Sequence, residues 1–288
     1  SGQQKNPHAD DPISVVVEPV QFPPRTGTFY PVICTITNRT KGLWEGSLRL
    51  RQIEELPTDF EIVIPDLAVG TTPLEFRVTL PPIVPNLQNQ QTELRAACID
   101  RGGKVTELPN VQLISHTSNV RTLTFGICIP DGVQKIPADV EPLAKPLQLF
   151  DNGSMLTPDG RTIRVALPNV VARDLSENGL DYFRFDGLFL SQFAVEQIRS
   201  RQFSGIMAWV GGGGTLGVTL PESLDIEHLE LMNHVLQGSG TTLRVDPGGR
   251  LVAEPALESP LFYPHGLGQV AVFPSAYLTG KREDSEEL

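Results

Sequence analysis

Short apolar runs rich in β-branched residues alternate with turns over the first 120 residues. The runs lie at 14–20, 30–37, 46–51, 60–64, 74–80, 93–99 and 111–115. None of them extends into a sustained apolar period of 3.6 residues, so helices are not expected here. Seven short strands separated by turns within about 100 residues are typical of a β-sandwich. We therefore predict an all-β sandwich domain over residues 13–120.

The pattern changes near residue 121, where a nearly continuous apolar run at 123–130 predicts a strand buried on both faces. Further strands are predicted at 164–168, 185–191, 215–220 and 270–273. Helical spacing predicts one helix over 194–210, with Gly205 as a candidate break, and another capped by Ser223 and ended by Gly238. Strands that alternate with helices indicate an α/β domain with a mainly parallel sheet, assigned to 121–280. Residues 1–12 and 281–288 are predicted to be flexible termini.

Composition narrows the classes of function. The 288 residues suit two domains, and a hydrophobic content of 40% is enough to build their cores. The net charge of −11 argues against general nucleic-acid binding and against docking on anionic lipid. The longest uncharged stretch, 202–221, is interrupted by glycines 211–214, so it does not predict a membrane helix. A membrane attachment would therefore need segments that this sequence does not contain.

Two of the three cysteines fall on predicted core faces. Cys34 shares a strand face with Val32 and Ile36, and Cys98 shares one with Ala96. If the two strands lie in opposed sheets, a Cys34–Cys98 disulfide would stabilise the fold by about 4 kcal/mol through loop entropy. Two buried free thiols are the alternative. The cysteine spacing fits no zinc or redox motif, and we predict neither a metal nor a cofactor.

The sandwich resembles a known class of module. Thr35–Asn38 followed by Gly46–Leu50 is similar to the strand, turn and strand of immunoglobulin-like modules in bacterial surface proteins. The resemblance covers about 110 residues.

The second half has a more specific resemblance. Phe185–Ser191, then a helix ending in Ala208–Gly214, then Thr215-Leu216, resembles the class I glutamine amidotransferase-like domain. It is more similar to the degenerate version found in large bacterial membrane-anchored proteins, in which the last strand follows Gly-x-Gly, as Gly266–Phe273 does here. The resemblance covers roughly 121–277 and implies a flavodoxin-like, three-layer α/β fold.

The residues that the family uses for catalysis are replaced. Active members carry Gly-x-Cys-x-Gly after the fourth strand, whereas this chain has Thr219 at the nucleophile position, and Pro221 removes a backbone donor near the turn. The family's His-x-Glu has only His265 as a counterpart, followed by Gly266 and Leu267. We therefore expect no amidotransferase chemistry. Thr219 and His265 are the candidate catalytic residues only if the catalytic groups have been relocated.

Other candidate chemistry has simpler explanations. His228 and His234 are six residues apart, about 240° around a helix, and cannot ligate one metal together. Glycines 211–214 follow a helix, whereas phosphate loops precede one, so they are interpreted as a helix end and connector. Cys128 lies in an apolar strand, where a thiol is inert.

Three functions remain. The leading hypothesis is a non-catalytic interaction or structural segment of a bacterial membrane-anchored protein, outside the cytoplasm and with protein partners. The second is a hydrolase or amidotransferase relative with relocated catalytic residues. The third, by fold analogy alone, is a cell-wall or carbohydrate-binding module, for which two tryptophans and four tyrosines offer few stacking platforms.

Overall fold

A computed structural model describes residues 12–20, 28–53, 60–82, 91–109, 111–114, 121–151, 155–156 and 162–274. Its secondary structure is mostly β-sheet with few helices. The chain divides into two compact units, residues 1–118 and 119–288. The termini predicted to be flexible, 1–12 and 281–288, lie outside the described residues, apart from Pro12.

The described part of the first unit forms two antiparallel sheets. Its strands are β1 (Ile13–Pro19), β2 (Tyr30–Asn38), β3 (Trp44–Ile53), β4 (Glu61–Val69), β5 (Leu74–Leu80), β6 (Gln91–Asp100), β7 (Val105–Glu107) and β8 (Val111–Ile114). One sheet has the order β1-β2-β5. The other has the order β4-β3-β6-β7, with β8 also pairing with β6. The seven predicted strands overlap β1–β6 and β8, whereas the three-residue β7 was not predicted.

One hydrophobic core receives side chains from both sheets of the first unit. Alternation along β2 directs Val32, Cys34 and Ile36 inward, as the sequence predicts. From the other sheet, Leu48 and Leu50 of β3 are fully buried in the same cluster. The outward positions of β3 carry Glu45, Ser47, Arg49 and Arg51, so the face of this strand opposite the core is polar.

The second unit combines one large mixed sheet with helices. Its strands are β9 (Arg121–Ile129), β10 (Met155–Leu156), β11 (Thr162–Ala166), β12 (Asn169–Val171), β13 (Gly187–Leu190), β14 (Thr215–Thr219), β15 (Thr242–Val245), β16 (Leu251–Glu254), β17 (Leu261–His265) and β18 (Gly268–Phe273). Its α-helices are α1 (Glu141–Asp151), α2 (Gln192–Val195), α3 (Ser200–Gly211) and α4 (Ile226–Val235).

The large sheet has the order β10-β11-β9-β13-β14-β18-β17, and β12 also pairs with β9. Strands β9, β11–β14 and β18 run parallel, while β10 and β17 run antiparallel to their neighbours. The chain starts in β9, passes to β11 and β12 on one side, and then crosses to β13 on the other. We call the edge where the parallel strands end the carboxyl edge. The crossing between β9 and β13 makes this edge the place where α/β sheets usually bind ligands.

Side-chain alternation gives the sheet two covered faces. Leu216, Val218 and Leu220 point into the larger core, which includes residues of α3 and α4. On the other face, Ile127 and Ile129 of β9 pack with Val140 and with Ala144 of α1. Apolar residues on both faces explain why β9 is a nearly continuous apolar run in the sequence.

Two helix predictions need correction. The helix predicted over 194–210 is two helices, interrupted at 196–199 rather than at Gly205. Gly205 lies inside α3, and the absence of a side chain there permits close packing, since a Cβ would come within 2.7 Å of the carbonyl oxygen of Glu177. The cap of the next helix is Asp225, not Ser223: the Asp225 side chain accepts a hydrogen bond from the backbone N–H of His228.

Candidate functional site

Thr219, at the predicted nucleophile position, is the last residue of β14 at the carboxyl edge. Its side chain is 1% exposed, and its hydroxyl makes no well-formed hydrogen bond within the described residues. The backbone N–H of the next residue, Leu220, donates to the carbonyl of Phe273, so the pairing with β18 continues past Thr219. The next helix, α4, begins only at Ile226. An exposed nucleophile needs a sharp turn from strand to helix directly after it. Thr219 has no such turn and is not presented to solvent.

Asp139 is the polar neighbour of Thr219. It lies just before α1 and is 1% exposed. Its Oδ2 accepts a 2.7 Å hydrogen bond from the backbone N–H of Gln192, while Oδ1 has no partner among the described residues. Burial raises the pKa of this carboxyl, while the backbone N–H of Gln192 and the nearby Thr219 hydroxyl lower it. Sequence reasoning missed Asp139, although an acidic residue just before a helix is a recognised start signal.

The Asp139–Thr219 pair lacks the parts of a nucleophilic site. A hydroxyl nucleophile needs an adjacent base, most often a histidine that a third group orients. Here the neighbour is a carboxyl already engaged by Gln192. Two of the described histidines do not serve as this base. The ring of His228 contacts the Asp225 carboxylate and the carbonyl of Ile198, and His234 is exposed on α4.

His265 lies at the opposite end of the sheet from Thr219. It ends β17 and pairs with Gly268, whereas Thr219 pairs with Phe273, five residues further along β18. At about 3.3 Å per residue, the two positions are about 16 Å apart along the strands. The two candidate catalytic residues therefore cannot act on the same bond.

The glycines that carry the family resemblance serve close packing. A Cβ on Gly268 would overlap the carbonyl oxygens of Val210 and Gly214, and Gly266 has a φ of +61° against the backbone of Gly211. Two backbone hydrogen bonds stabilise this contact. The N–H of Leu267 donates to the carbonyl of Gly211, and the N–H of Gln269 donates to the carbonyl of Gly214. The glycine-rich end of α3 and the β17–β18 turn are thus pressed backbone against backbone, away from the carboxyl edge.

All three cysteines are buried free thiols. Cys34 lies in β2 and Cys98 in β6, strands of the two different sheets, and the structure shows the free state that the sequence left as the alternative to a disulfide. Burial raises the pKa of Cys34 to about 12 and that of Cys98 to about 11. Burial and the nearby Asp131 also raise the pKa of Cys128. Thiols with such pKa values are poor nucleophiles and metal ligands at neutral pH.

A cleft of about 520 Å³ opens at the carboxyl edge of β14 and β18. One wall contains Leu220, Pro221 and Pro274, which follow these strands, and the opposite wall is formed by β16 and the residues after it. Most of the lining residues have apolar side chains, and Glu222 and Arg250 are the charged ones. The volume lies in the range of small-ligand sites, and the location is the usual one in open α/β sheets.

Within the ranges that the structure describes, no three His, Cys, Asp or Glu side chains are placed to hold a metal ion. No helix in those ranges is long and apolar enough to cross a membrane.

No protein-family model and no curated protein matches the chain. Among solved structures it is similar to a FixG-related protein from Vibrio parahaemolyticus, with 12% identity over 36% of this chain and 97% of that chain and a TM-score of 0.24. It is also similar to a conjugative transposon lipoprotein from Bacteroides eggerthii, with 15% identity, coverages of 36% and 97%, and a TM-score of 0.25. It is similar as well to BslA, a bacterial hydrophobin, with 11% identity over 37% of this chain and 96% of that chain and a TM-score of 0.25. At these TM-scores the similarities carry no argument.

Proposed function

We propose that this chain is a non-catalytic binding segment of a bacterial membrane-anchored protein, located outside the cytoplasm. In this proposal the first unit is an immunoglobulin-like sandwich. The second is a three-layer domain related to the class I glutamine amidotransferases that has lost its catalytic groups. The strand order β11-β9-β13-β14-β18, with helices on both faces, supports the second assignment.

The observation that carries the proposal is the state of Thr219. The residue at the nucleophile position is buried, continues a strand, and lacks a histidine within hydrogen-bond reach in the described chain. His265, the other candidate, lies about 16 Å away at the far end of the sheet. A cleft with an apolar floor at the carboxyl edge is better suited to binding than to acyl transfer.

The second candidate function, a hydrolase with relocated groups, is favoured by one observation: Thr219 lies beside the Asp139 carboxyl. A panel of glutamine, amide and ester substrates, assayed with wild type and Thr219→Ala, separates the two functions. We expect the same background rate for both proteins. A wild-type activity that Thr219→Ala loses, while its thermal unfolding stays unchanged, would replace the binding proposal with the hydrolase.

The location is tested on whole cells. In the native bacterium, an antibody raised against this chain should detect a protein in the membrane fraction, and external protease should remove it from intact cells or spheroplasts. Recovery in the soluble cytoplasmic fraction, protected from that protease, would contradict the proposed location.

A further inference from the structure

One wall of the cleft is the outer edge of β16. Strand β16 pairs with β15 in a two-stranded antiparallel hairpin, in which Ala253 lies opposite Leu243. The side-chain amide of Asn233 occupies both backbone groups of Leu243, accepting from its N–H at 2.7 Å and donating to its carbonyl at 3.0 Å. Leu243 and Ala253 are therefore a pair that exchanges no ladder hydrogen bonds. In such a pair the backbone groups point away from the partner strand, so the N–H and carbonyl of Ala253 face outward.

The two outer edges of the hairpin are treated differently. On β15, Asn233 occupies the outer edge at Leu243. On β16, the outer edge already makes one backbone hydrogen bond: the N–H of Leu251 donates to the carbonyl of Glu222 at 2.8 Å. Two residues further on, the N–H of Ala253 has no hydrogen-bond partner among the described residues. The cleft lies between this stretch of β16 and Leu220. An open strand edge that already accepts one backbone partner is a template for another.

The surroundings select the kind of strand that can bind. Beside the edge lie the apolar side chains of Leu243 and Leu257, which we call the floor of the cleft, and Leu220 lies on the opposite wall. Arg250, at the start of the edge, is exposed, lines the cleft and has no ion pair among the described residues. Its guanidinium is complementary to a carboxylate.

We infer that the cleft binds an extended peptide of a partner protein by strand addition to β16. Peptide backbone groups pair with the N–H and carbonyl of Ala253, alternate small apolar side chains lie on the floor, and an acidic side chain meets Arg250. Strand addition derives affinity from main-chain hydrogen bonds and specificity from pockets for alternate side chains. The inference rests on the proposed binding function and names its partner class.

The probe is a phage-displayed library of random linear dodecapeptides, selected on wild-type protein. The enriched clones should be extended, apolar at alternate positions and acidic at one end. Synthetic copies should lose about tenfold or more in affinity for Ala253→Pro, which lacks the outward N–H at a position where an edge strand tolerates proline. Ala253→Ser keeps the N–H and should bind within about twofold of wild type, and Arg250→Gln should weaken the acidic clones selectively.

Two readouts keep the test independent of any folding defect in Ala253→Pro. N-methylation of the peptide should abolish binding at every second residue only, because alternate amides face β16. In wild-type protein, the peptide should slow hydrogen exchange at the Ala253 amide. A library that yields no binder, or binders indifferent to Ala253→Pro and to the N-methyl register, overturns the inference. Those results leave the non-catalytic proposal standing, whereas a Thr219-dependent activity would overturn that proposal and not strand addition.

Discussion

The carboxylate of Asp139 accepts a hydrogen bond from the backbone N–H of Gln192, over 2.7 Å. Asp139 lies between β9 and α1, and Gln192 is the first residue of α2, separated from the end of β13 only by Ser191. The bond therefore joins the two strand ends between which the chain crosses from one side of the sheet to the other. In many α/β proteins this crossing is a binding crevice. Here a buried internal contact occupies it, and the cleft lies further along the same edge.

The first prediction concerns the pH dependence of Asp139. Because burial raises the folded-state pKa of this carboxyl above its ordinary value of 3.8, the folded protein binds its proton more tightly than the unfolded chain does. The wild type therefore loses stability as the pH rises from about 3.8 through the folded-state pKa. Asp139→Asn has no such loss, and its amide oxygen still accepts from Gln192. We expect the free energy of unfolding of the variant minus that of wild type to increase over this interval and then level off.

Urea denaturation of both proteins between pH 3.5 and pH 8 measures that difference, in which the other titrating groups cancel. Asp131→Asn, which removes an exposed carboxylate of the same loop, is the substitution control. A flat difference for Asp139→Asn would show that the carboxyl is not held in a buried environment.

Local patterns and long-range contacts differ in what the sequence reveals of them. The apolar run of β9 predicts a strand buried on both faces, and the structure places it in the interior of the large sheet, between β11 and β13. Helix α1 was not predicted because Pro142 and Pro146 lower its intrinsic propensity. Strand β17 was missed because it contains Pro264, which only an edge strand tolerates, and its edge position is a tertiary fact.

The same difference between local patterns and long-range contacts applies to the candidate site. The motif comparison placed Thr219 at the end of a strand, and that placement depends on local spacing. Its neighbour Asp139 is 80 residues away in the sequence, and only the fold brings the two together. The outward edge at Ala253 depends on Asn233 occupying Leu243, which no spacing rule predicts. Glycines 211–214 were correctly interpreted as a helix end, but their packing against the β17–β18 turn required the structure.

The second prediction is that Thr219→Val leaves the fold intact. Valine has nearly the same shape, and the lost hydroxyl makes no well-formed hydrogen bond, so the free energy of unfolding should change by no more than about 1 kcal/mol. Since the hydroxyl lowers the pKa of Asp139, its removal should raise that pKa further. Urea denaturation at neutral pH and an NMR titration of the Asp139 carboxyl measure the two effects. Thr215→Val, on the same strand face but at the amino end, is the matched control and should leave the titration unchanged.

The third prediction tests the backbone contact between α3 and the β17–β18 turn. Gly268→Ala forces a Cβ onto the carbonyl oxygens of Val210 and Gly214, and neither backbone can withdraw without breaking its pairing. We expect a loss of about 3 kcal/mol or more in the free energy of unfolding. Gly211→Ala, at the end of α3, meets open space and should be neutral or stabilising by up to about 1 kcal/mol. Equal effects of the two substitutions would contradict the close approach.

The fourth prediction concerns the thiols. Cys34, Cys98 and Cys128 are buried, and burial raises all three pKa values, so a thiol reagent at pH 8 should label none of them in the folded protein. After unfolding in guanidinium without reductant, intact mass should show three labels. Cys128→Ser should then show two. A single label on the unfolded wild type, with Cys34 and Cys98 linked in a peptide map, would instead demonstrate a disulfide. Because such bonds persist in oxidising compartments, that result would contradict the free-thiol structure while strengthening the proposed location outside the cytoplasm.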